Sequence, residues 1–152
     1  MKNRDILILA NNGILNARYA TIDGAHAYKM FKFRKEISKA LTAYTESYKE
    51  LLKSNDIEDI DAFNKRIDEL RAIEKPSKEE EAELKASLEK LDKIEEMFKS
   101  LLEDDVTLDC KPMPFSEYHK LWLENRTEGK MSLFEYENVI DMLEGVLWHP
   151  DE

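Results

Sequence analysis

The sequence predicts a mainly α-helical protein built around a long antiparallel helical hairpin of coiled-coil type. Charged residues make up 37% of the 152 positions, and glycine and proline fill only four positions each, which is typical of helix-rich soluble proteins. Apolar residues recur every three or four positions over 23–53 and again over 59–102, the period of one side of a helix. We expect a single domain over 1–152. Its predicted parts are an N-terminal helix (1–22), the hairpin arm (23–105) and a base of one short strand and two helices (106–152).

The first predicted helix runs from about Arg4 to Tyr19. Asn3 precedes it as a candidate cap, and Asp5 lies in the first turn, where a negative charge favours the helix dipole. Asp23 is the candidate N-cap of the long helix that follows.

The long helix carries a continuous stripe that calls for a partner helix. Its members are Ala27, Met30, Arg34, Ile37, Leu41, Tyr44, Tyr48 and Leu51. Arg34 is the single charged member; its stem can be buried while its guanidinium reaches an acid, or it can set the pairing register. Tyr28, Phe31 and Phe33 widen the apolar side, so we expect this end to be packed on both sides.

The second arm is predicted as two helices. Residues 54–56 end the first arm, and a helix follows from Asp59 to Glu74. Pro76 interrupts the pattern because proline lacks the amide hydrogen and restricts the residue before it. Ser77 followed by Glu80 is a capping box, which predicts a new helix from about Lys78 to Leu102.

Beyond residue 105 the apolar period changes to two. Val106, Leu108 and Cys110 alternate with polar residues, which predicts a short strand. With no second strand visible, this strand could pair with another copy or a partner, although an extended connector fits equally well. A short helix is expected over 116–124, and a longer one runs to about Leu147. The second starts at a capping box and a hydrophobic staple, formed by Ser132 with Glu135 and by Met131 with Tyr136.

The net charge of −10 is spread unevenly. Residues 1–54 hold 10 Lys/Arg against 5 Asp/Glu, whereas 55–105 hold 9 against 18 and 106–152 hold 4 against 10. One interpretation is that the basic helix meets the protein's own acidic part. The other is an anion-binding face formed by Lys29, Lys32, Lys35 and Lys39. Overall acidity argues against nonspecific nucleic-acid binding, which depends on phosphate neutralisation.

The sequence contains no phosphate loop, dinucleotide fingerprint, nucleophile elbow or zinc spacing. Its single cysteine, Cys110, excludes an intrachain disulfide, and Lys111 beside it could lower the thiol pKa, although a strand would place the two on opposite faces. Glu117 and His119 are the nearest approach to a catalytic pair. We therefore expect no enzyme, cofactor or metal, no membrane span and no secretory signal, and a cytoplasmic protein.

The order of features resembles small helical proteins of tailed bacteriophages and prophages. The resemblance rests on Ala25-His26-Ala27-Tyr28-Lys29, Asp61-Ala62-Phe63-Asn64, Val106-Thr107-Leu108 and the helix start at Ser132-Leu133-Phe134-Glu135. It covers most of the chain as a pattern and carries no catalytic residues. The genes of such proteins often lie near virion-structure and assembly genes, so the resemblance implies a role in virion assembly in the host cell, with possible association with the virion.

The functional expectation is a protein–protein interaction protein, a minor structural component or an assembly chaperone. Its partners would be other copies of itself or other phage proteins. The interface candidates are Arg34, Tyr44, Tyr48, Leu51, Val106 and Leu108. The alternative is an inhibitor of host defence that binds a host protein or an anionic small ligand through the four lysines. A small enzyme that uses Glu117 and His119 is a further rival.

Overall fold

The computed structural model describes residues 1–11, 24–120 and 133–152. In these ranges the chain forms six helices and one two-stranded sheet, so the prediction of a mainly α-helical fold is confirmed. None of the helices in these ranges has the length and apolar character needed to cross a membrane. The elements are α1 (Asn3–Asn11), α2 (Gly24–Ser54), α3 (Ile60–Arg71), α4 (Lys78–Glu103), β1 (Met113–Pro114), α5 (Phe115–Tyr118), α6 (Leu133–Leu143) and β2 (Trp148–His149).

The chain divides into two compact units. Unit 1 comprises Met1–Ala43 together with Asp104–Glu152, and unit 2 comprises Tyr44–Glu103. The predicted boundary near residue 105 lies close to the observed one, but the boundary predicted at residue 22 falls within unit 1. The division occurs inside α2 because the first half of this helix contributes to the core of unit 1 and its last turns to the core of unit 2.

The core of unit 1 joins both ends of the chain. Phe33 and Ile37 of α2 are fully buried, as are Ile6 and Leu9 of α1. The buried members are Ile6, Leu9, Met30, Phe33, Ile37, Met113, Tyr118, Val139, Leu143, Leu147 and Trp148. This core is contiguous, and burying each large apolar side chain contributes about 1.5–3 kcal/mol.

The N-terminal helix begins one residue earlier than predicted, so Asn3 lies inside the helix and is not its N-cap. Asn3 is the first residue of α1, and the Lys2 backbone N–H donates to Asp5 Oδ2 at 2.8 Å. Asp5 thus lies in the first turn as expected and satisfies a terminal amide there. The predicted extension of this helix to Tyr19 and the predicted cap Asp23 lie outside the described residues.

The strand predicted over 106–110 is absent, and this prediction is wrong. Val106, Leu108 and Cys110 are half-buried against the core of unit 1 while Thr107 and Asp109 are exposed. The Cys110 N–H donates to Leu108 O at 3.0 Å, which closes a tight turn instead of a ladder. The alternation therefore reflects an extended connector with one side on the core.

The sheet lies elsewhere, between two very short strands. β1 pairs with β2 in parallel, with Met113 opposite Trp148 and Pro114 opposite His149. The predicted continuation of the last helix to Leu147 is wrong, because α6 ends at Leu143 and Gly145 adopts φ +75°. That turn allows the Trp148 indole N–H to donate to Ile140 O at 2.9 Å.

The predictions for α5 and α6 can be compared with the structure only in part. α5 starts at Phe115, close to the predicted start at residue 116, while residues 121–132 are outside the described ranges. The expected capping pair Ser132 and Glu135 and the staple of Met131 and Tyr136 also lie outside what the structure describes.

Within unit 2, α2 ends at a Schellman motif. Asp56 has φ +56°, the Ile57 N–H donates to Leu52 O at 3.0 Å, and the Asp56 N–H donates to Lys53 O at 3.0 Å. The buried side chains of Leu52 and Ile57 belong to one cluster, the apolar contact that accompanies this motif. The predicted end of the arm at residues 54–56 is confirmed.

The next two helix starts in unit 2 are also confirmed. Asp59 caps α3, and its side chain accepts from the N–H groups of Asp61 and Ala62. At α4 the Ser77 N–H donates to Glu80 Oε1 at 3.0 Å, and the Glu80 N–H donates to Ser77 Oγ at 3.1 Å. This is the complete capping box, and it separates α3 from α4 around Pro76.

The core of unit 2 is small and is formed by α2, α3 and α4. Leu51, Leu52, Ile57 and Ile94 are its buried members, with Tyr48, Ile60, Phe63 and Leu101 packed against them. The Tyr48 ring meets the Phe98 ring edge-on at 5.6 Å. Arg66 binds Glu83 through two hydrogen bonds, at 2.9 and 3.0 Å, which links α3 to α4.

Candidate functional site

The outer face of α2 in unit 1 is aromatic and basic. We define it as Tyr28, Phe31, Lys35 and Lys39, whose spacings of three, four and four place them on one side of the helix. All four are exposed, and Tyr28 and Phe31 keep 65% and 62% of their surface accessible. The expectation that both aromatic residues are packed is therefore wrong.

The same helix buries its opposite side. Met30, Phe33 and Ile37 lie at positions turned away from the outer face, and all three belong to the core of unit 1. Because each helical residue advances by about 100°, burying Phe33 sends Phe31 outwards. The exposure of two large aromatic side chains is thus fixed by the core packing of this helix.

A cavity of about 390 Å³ lies beside the outer face, also within unit 1. The described residues that line it are Tyr28, Lys29, Lys32, Cys110, Lys111 and Leu147. Its volume is in the range of small-molecule sites. We call it the α2 cavity.

Specific contacts hold the wall of the α2 cavity opposite the helix. Lys32 Nζ lies 3.1 Å from Asp109 Oδ2, and the Asp109 backbone N–H donates to Glu36 Oε2 at 3.1 Å. On the other side, the Met113 N–H donates to Leu147 O at 2.9 Å. The connector that carries Cys110 and Lys111 is thereby attached to α2 and to the end of the chain.

The cations of the α2 cavity differ in their surroundings. The hydrogen bond from Lys32 to Asp109 raises the pKa of that ammonium group. Neither Lys29 nor Lys111 has an ion-pair partner among the described residues. Lys29 is half-buried and Lys111 is exposed. Counting only the residues that the structure describes, the cavity therefore carries two positive charges without an ion pair beside the neutralised one.

The thiol in the α2 cavity behaves differently from the sequence expectation. Burial raises the pKa of the Cys110 thiol, and the nearby Glu36 carboxylate adds to this effect more than Lys32 offsets it. A lowered pKa caused by Lys111 is therefore not observed. The two neighbours also line one cavity and not opposite faces, since the segment is a turn and not a strand.

The four lysines that the sequence groups into one face separate into two sets. Lys29 and Lys32 line the α2 cavity, and Lys35 and Lys39 lie on the outer face. Sequence periodicity identified all four but missed their neighbours Lys111 and Leu147, which reach the cavity through tertiary folding. The signal for the outer face was available, since Tyr28 and Phe31 lie opposite the stripe.

The other interface candidates contribute to internal packing. Leu51 is buried in unit 2, and Tyr48 contacts the rings of Tyr44 and Phe98. Val106 and Leu108 pack against the core of unit 1, and Arg34 is half-buried within the stripe. A contact of any of them with a partner stays a prediction.

The rival catalytic pair lies on or just after α5. Glu117 and His119 are both exposed, and the His119 ring lies 6.0 Å from the Phe115 ring. Within the described ranges, no three His, Cys, Asp or Glu side chains are arranged to hold a metal ion.

Unit 2 also contains a cavity, of about 610 Å³, with a different charge balance. It is lined by Lys49, Leu52, Lys53, Asp56, Ile57 and Glu58. Two lysines are matched there by two acids, so this cavity offers no net charge to a ligand.

Comparisons with protein-family models, with curated proteins and with solved structures found no match to this chain.

Proposed function

We propose that this chain is a protein–protein interaction protein of tailed-phage type, serving virion assembly as a minor structural component or an assembly chaperone. One observation supports the interaction role above the others: Tyr28 and Phe31 are both largely exposed, one turn apart on α2. Aromatic residues are enriched at protein–protein interfaces, and exposed apolar patches mark interaction sites.

The chemistry of the outer face indicates an acidic partner surface. Residues 24–43 hold five Lys/Arg and one Asp/Glu, a net charge of +4. Lys35 and Lys39 continue the line of the two aromatic rings along the helix. A suitable partner offers apolar side chains for Phe31 and carboxylates for the lysines, which favours fast and oriented encounter.

A second copy of the chain supplies such a surface. Residues 44–103 hold 11 Lys/Arg and 18 Asp/Glu, a net charge of −7. These residues form unit 2, whose α4 begins with Glu79, Glu80 and Glu81. The outer face of one copy and unit 2 of another are complementary, so self-association is the form of interaction that we propose.

Light scattering coupled to size-exclusion chromatography tests this proposal. The wild-type chain should exceed the 17.9 kDa of a single copy. Its mass should be lower at about 1 M salt than at about 0.1 M salt. The Debye length shrinks from about 10 Å to about 3 Å over this range, so the attraction between the charged surfaces is screened.

A double variant, Phe31→Ser with Lys35→Gln, should be a monomer at both salt concentrations. Ile8→Ser is the matched control, because Ile8 is an exposed apolar residue of α1 in the same unit. A wild-type monomer at both salt concentrations would reject self-association. An oligomer that survives in the double variant would reject the outer face as its contact surface.

A further inference from the structure

The α2 cavity has features that the interaction role does not use. Of its described lining residues, only Tyr28 belongs to the outer face, and Phe31 is not among them. The cavity also lies wholly within unit 1, so its lining does not depend on a second copy.

Two positive charges in the α2 cavity are not compensated by any side chain in the described part of the chain. Lys32 is neutralised by Asp109 at 3.1 Å, whereas Lys29 and Lys111 have no ion-pair partner among the described residues. Like charges that share a cavity repel each other, and the low-dielectric wall strengthens this effect. An anion bound between them would relieve the repulsion, so the cavity is electrostatically suited to a negative group.

The remaining lining of the α2 cavity is apolar. Tyr28 contributes an aromatic ring, Leu147 an aliphatic side chain, and Cys110 a thiol that stays neutral. Sites of this kind bind the body of a ligand by apolar contact and orient it by a few polar groups. Inorganic phosphate alone would leave these apolar contacts unused.

The carboxylates around the α2 cavity limit the size of the anion. Asp109 is bound to Lys32, and Glu36 accepts from the Asp109 backbone on the same side. A polyanion that extends along α2 would approach both carboxylates, and this argues against a nucleic-acid strand. Glu36 lies seven positions beyond Lys29 on α2, about 10 Å along the helix axis, so a compact anion at Lys29 does not extend to it.

We infer that the α2 cavity binds a small organic anion, in which a carboxylate or phosphate group contacts Lys29 and Lys111 and an apolar body packs against Tyr28 and Leu147. This inference is independent of the proposed self-association. It extends the function of unit 1 from binding a protein to binding a small molecule.

Cys110 provides the readout, because it lines the α2 cavity and is the single cysteine of the chain. Alkylation of the intact protein by iodoacetamide is followed by mass spectrometry in the presence of four probes. Phenyl phosphate and phenylacetate combine an anion with an aromatic body. Inorganic phosphate supplies the anion alone, and benzyl alcohol supplies the body alone.

At least one of the two aromatic anions should protect Cys110. At about ten times its Kd, taken from a separate titration, that probe should slow alkylation about tenfold because only the unoccupied fraction reacts. The preferred probe tells whether the site selects a carboxylate or a phosphate ester.

The double variant Lys29→Gln with Lys111→Gln should weaken binding of that probe about tenfold or more. Lys85→Gln with Lys93→Gln is the control, because it changes the net charge equally at exposed positions of α4. Binding to this control should match the wild type. Binding is measured by titration as well as by protection, so an altered thiol reactivity is not mistaken for lost affinity.

Three results would overturn the inference. They are no protection by either aromatic anion up to its solubility limit, equal protection by inorganic phosphate or benzyl alcohol, and unchanged binding to the Lys29/Lys111 variant. None of them bears on the mass of the chain in solution, so the site and the self-association succeed or fail separately.

Discussion

The turns of unit 2 are defined by residues that are close in sequence, whereas the core of unit 1 joins residues near the start of the chain to residues near its end. In unit 2, each turn is defined by a local signal, from the Schellman motif at Asp56 to the capping box of Ser77 and Glu80. In unit 1, Ile6 and Trp148 belong to the same core. The two units therefore depend on different kinds of contact.

The units also differ in what they leave exposed. In unit 2 the Tyr48 ring contacts those of Tyr44 and Phe98, Phe63 packs against the core, and the cavity balances two lysines with two acids. Unit 1 exposes Tyr28 and Phe31, and its described residues provide no ion-pair partner for Lys29 or Lys111. In the self-association proposed above, unit 1 supplies the outer face of α2 and unit 2 of a second copy supplies the acidic surface.

The largest effect on stability is expected at the centre of unit 1. Phe33→Ala removes a fully buried ring and should lower the free energy of unfolding by about 3–5 kcal/mol. Phe31→Ala is the matched control two residues earlier, where the ring is 62% exposed. Urea unfolding followed by circular dichroism measures both. Similar losses for the two variants would contradict the assigned orientation of α2.

A smaller effect is expected in the core of unit 2. Ile94→Ala should cost about 2–3 kcal/mol, because its cluster has only three other buried members and can relax around the change. Glu95→Ala, at the exposed neighbouring position, should stay within about 0.5 kcal/mol of the wild type. The same urea experiment applies. If Ile94→Ala lowers the free energy of unfolding more than Phe33→Ala does, the core of unit 2 contributes more to stability than the core of unit 1, contrary to this prediction.

The capping box at the start of α4 should contribute less to the free energy of unfolding than either core does. Ser77→Ala removes the hydroxyl that accepts from the Glu80 N–H and should cost about 1 kcal/mol. Ser100→Ala, at an exposed position within α4, should instead be neutral or stabilise by a few tenths of a kcal/mol, about what helix propensity provides. Thermal unfolding shows whether each variant is less or more stable than the wild type. Equal changes in stability for the two variants would show that the cap does not stabilise the protein.

The smallest expected effect is the pH dependence that arises from Cys110 in unit 1. Because burial raises the pKa of Cys110, the folded chain favours the neutral thiol. The stability from this group is present below the ordinary thiol pKa and is lost as pH rises through the folded pKa. The pH profile of alkylation should therefore lie at higher pH in the folded protein than in urea. Coinciding profiles would show that the thiol is not buried.

The success of sequence analysis follows the same division. The starts of α3 and α4 were predictable because Asp59 and Ser77 act within a few residues of their own positions, whereas the predicted end of α3 at Glu74 is wrong, since this helix ends at Arg71. The end of α6 and the pairing of β1 with β2 were missed. Residues 113–114 contain a proline and form only two ladder pairs, so their partner is determined by tertiary packing and not by local propensity.

Only part of the candidate site could be predicted from the sequence, for a related reason. Lys29 and Lys32 lie on one helix, and helical periodicity is sufficient to group them. Lys111 and Leu147 reach the same cavity through the connector and the turn after α6, at distances along the chain that no pattern spans. The alternation around Leu108 left a strand and an extended connector as alternatives, and the structure has the connector, packed on the core.

The proposed binding of the outer face of α2 in one copy to unit 2 of another is tested most directly by photo-crosslinking. The crosslinker p-benzoylphenylalanine is placed at position 31, in a mixture of isotope-labelled and unlabelled chains. The same substitution at position 8, also exposed in unit 1, is the control. We expect crosslinks from position 31 to residues 44–103 of a second chain, at a higher yield than from position 8. Crosslinks confined to one chain, or equal yields from both positions, would contradict the account.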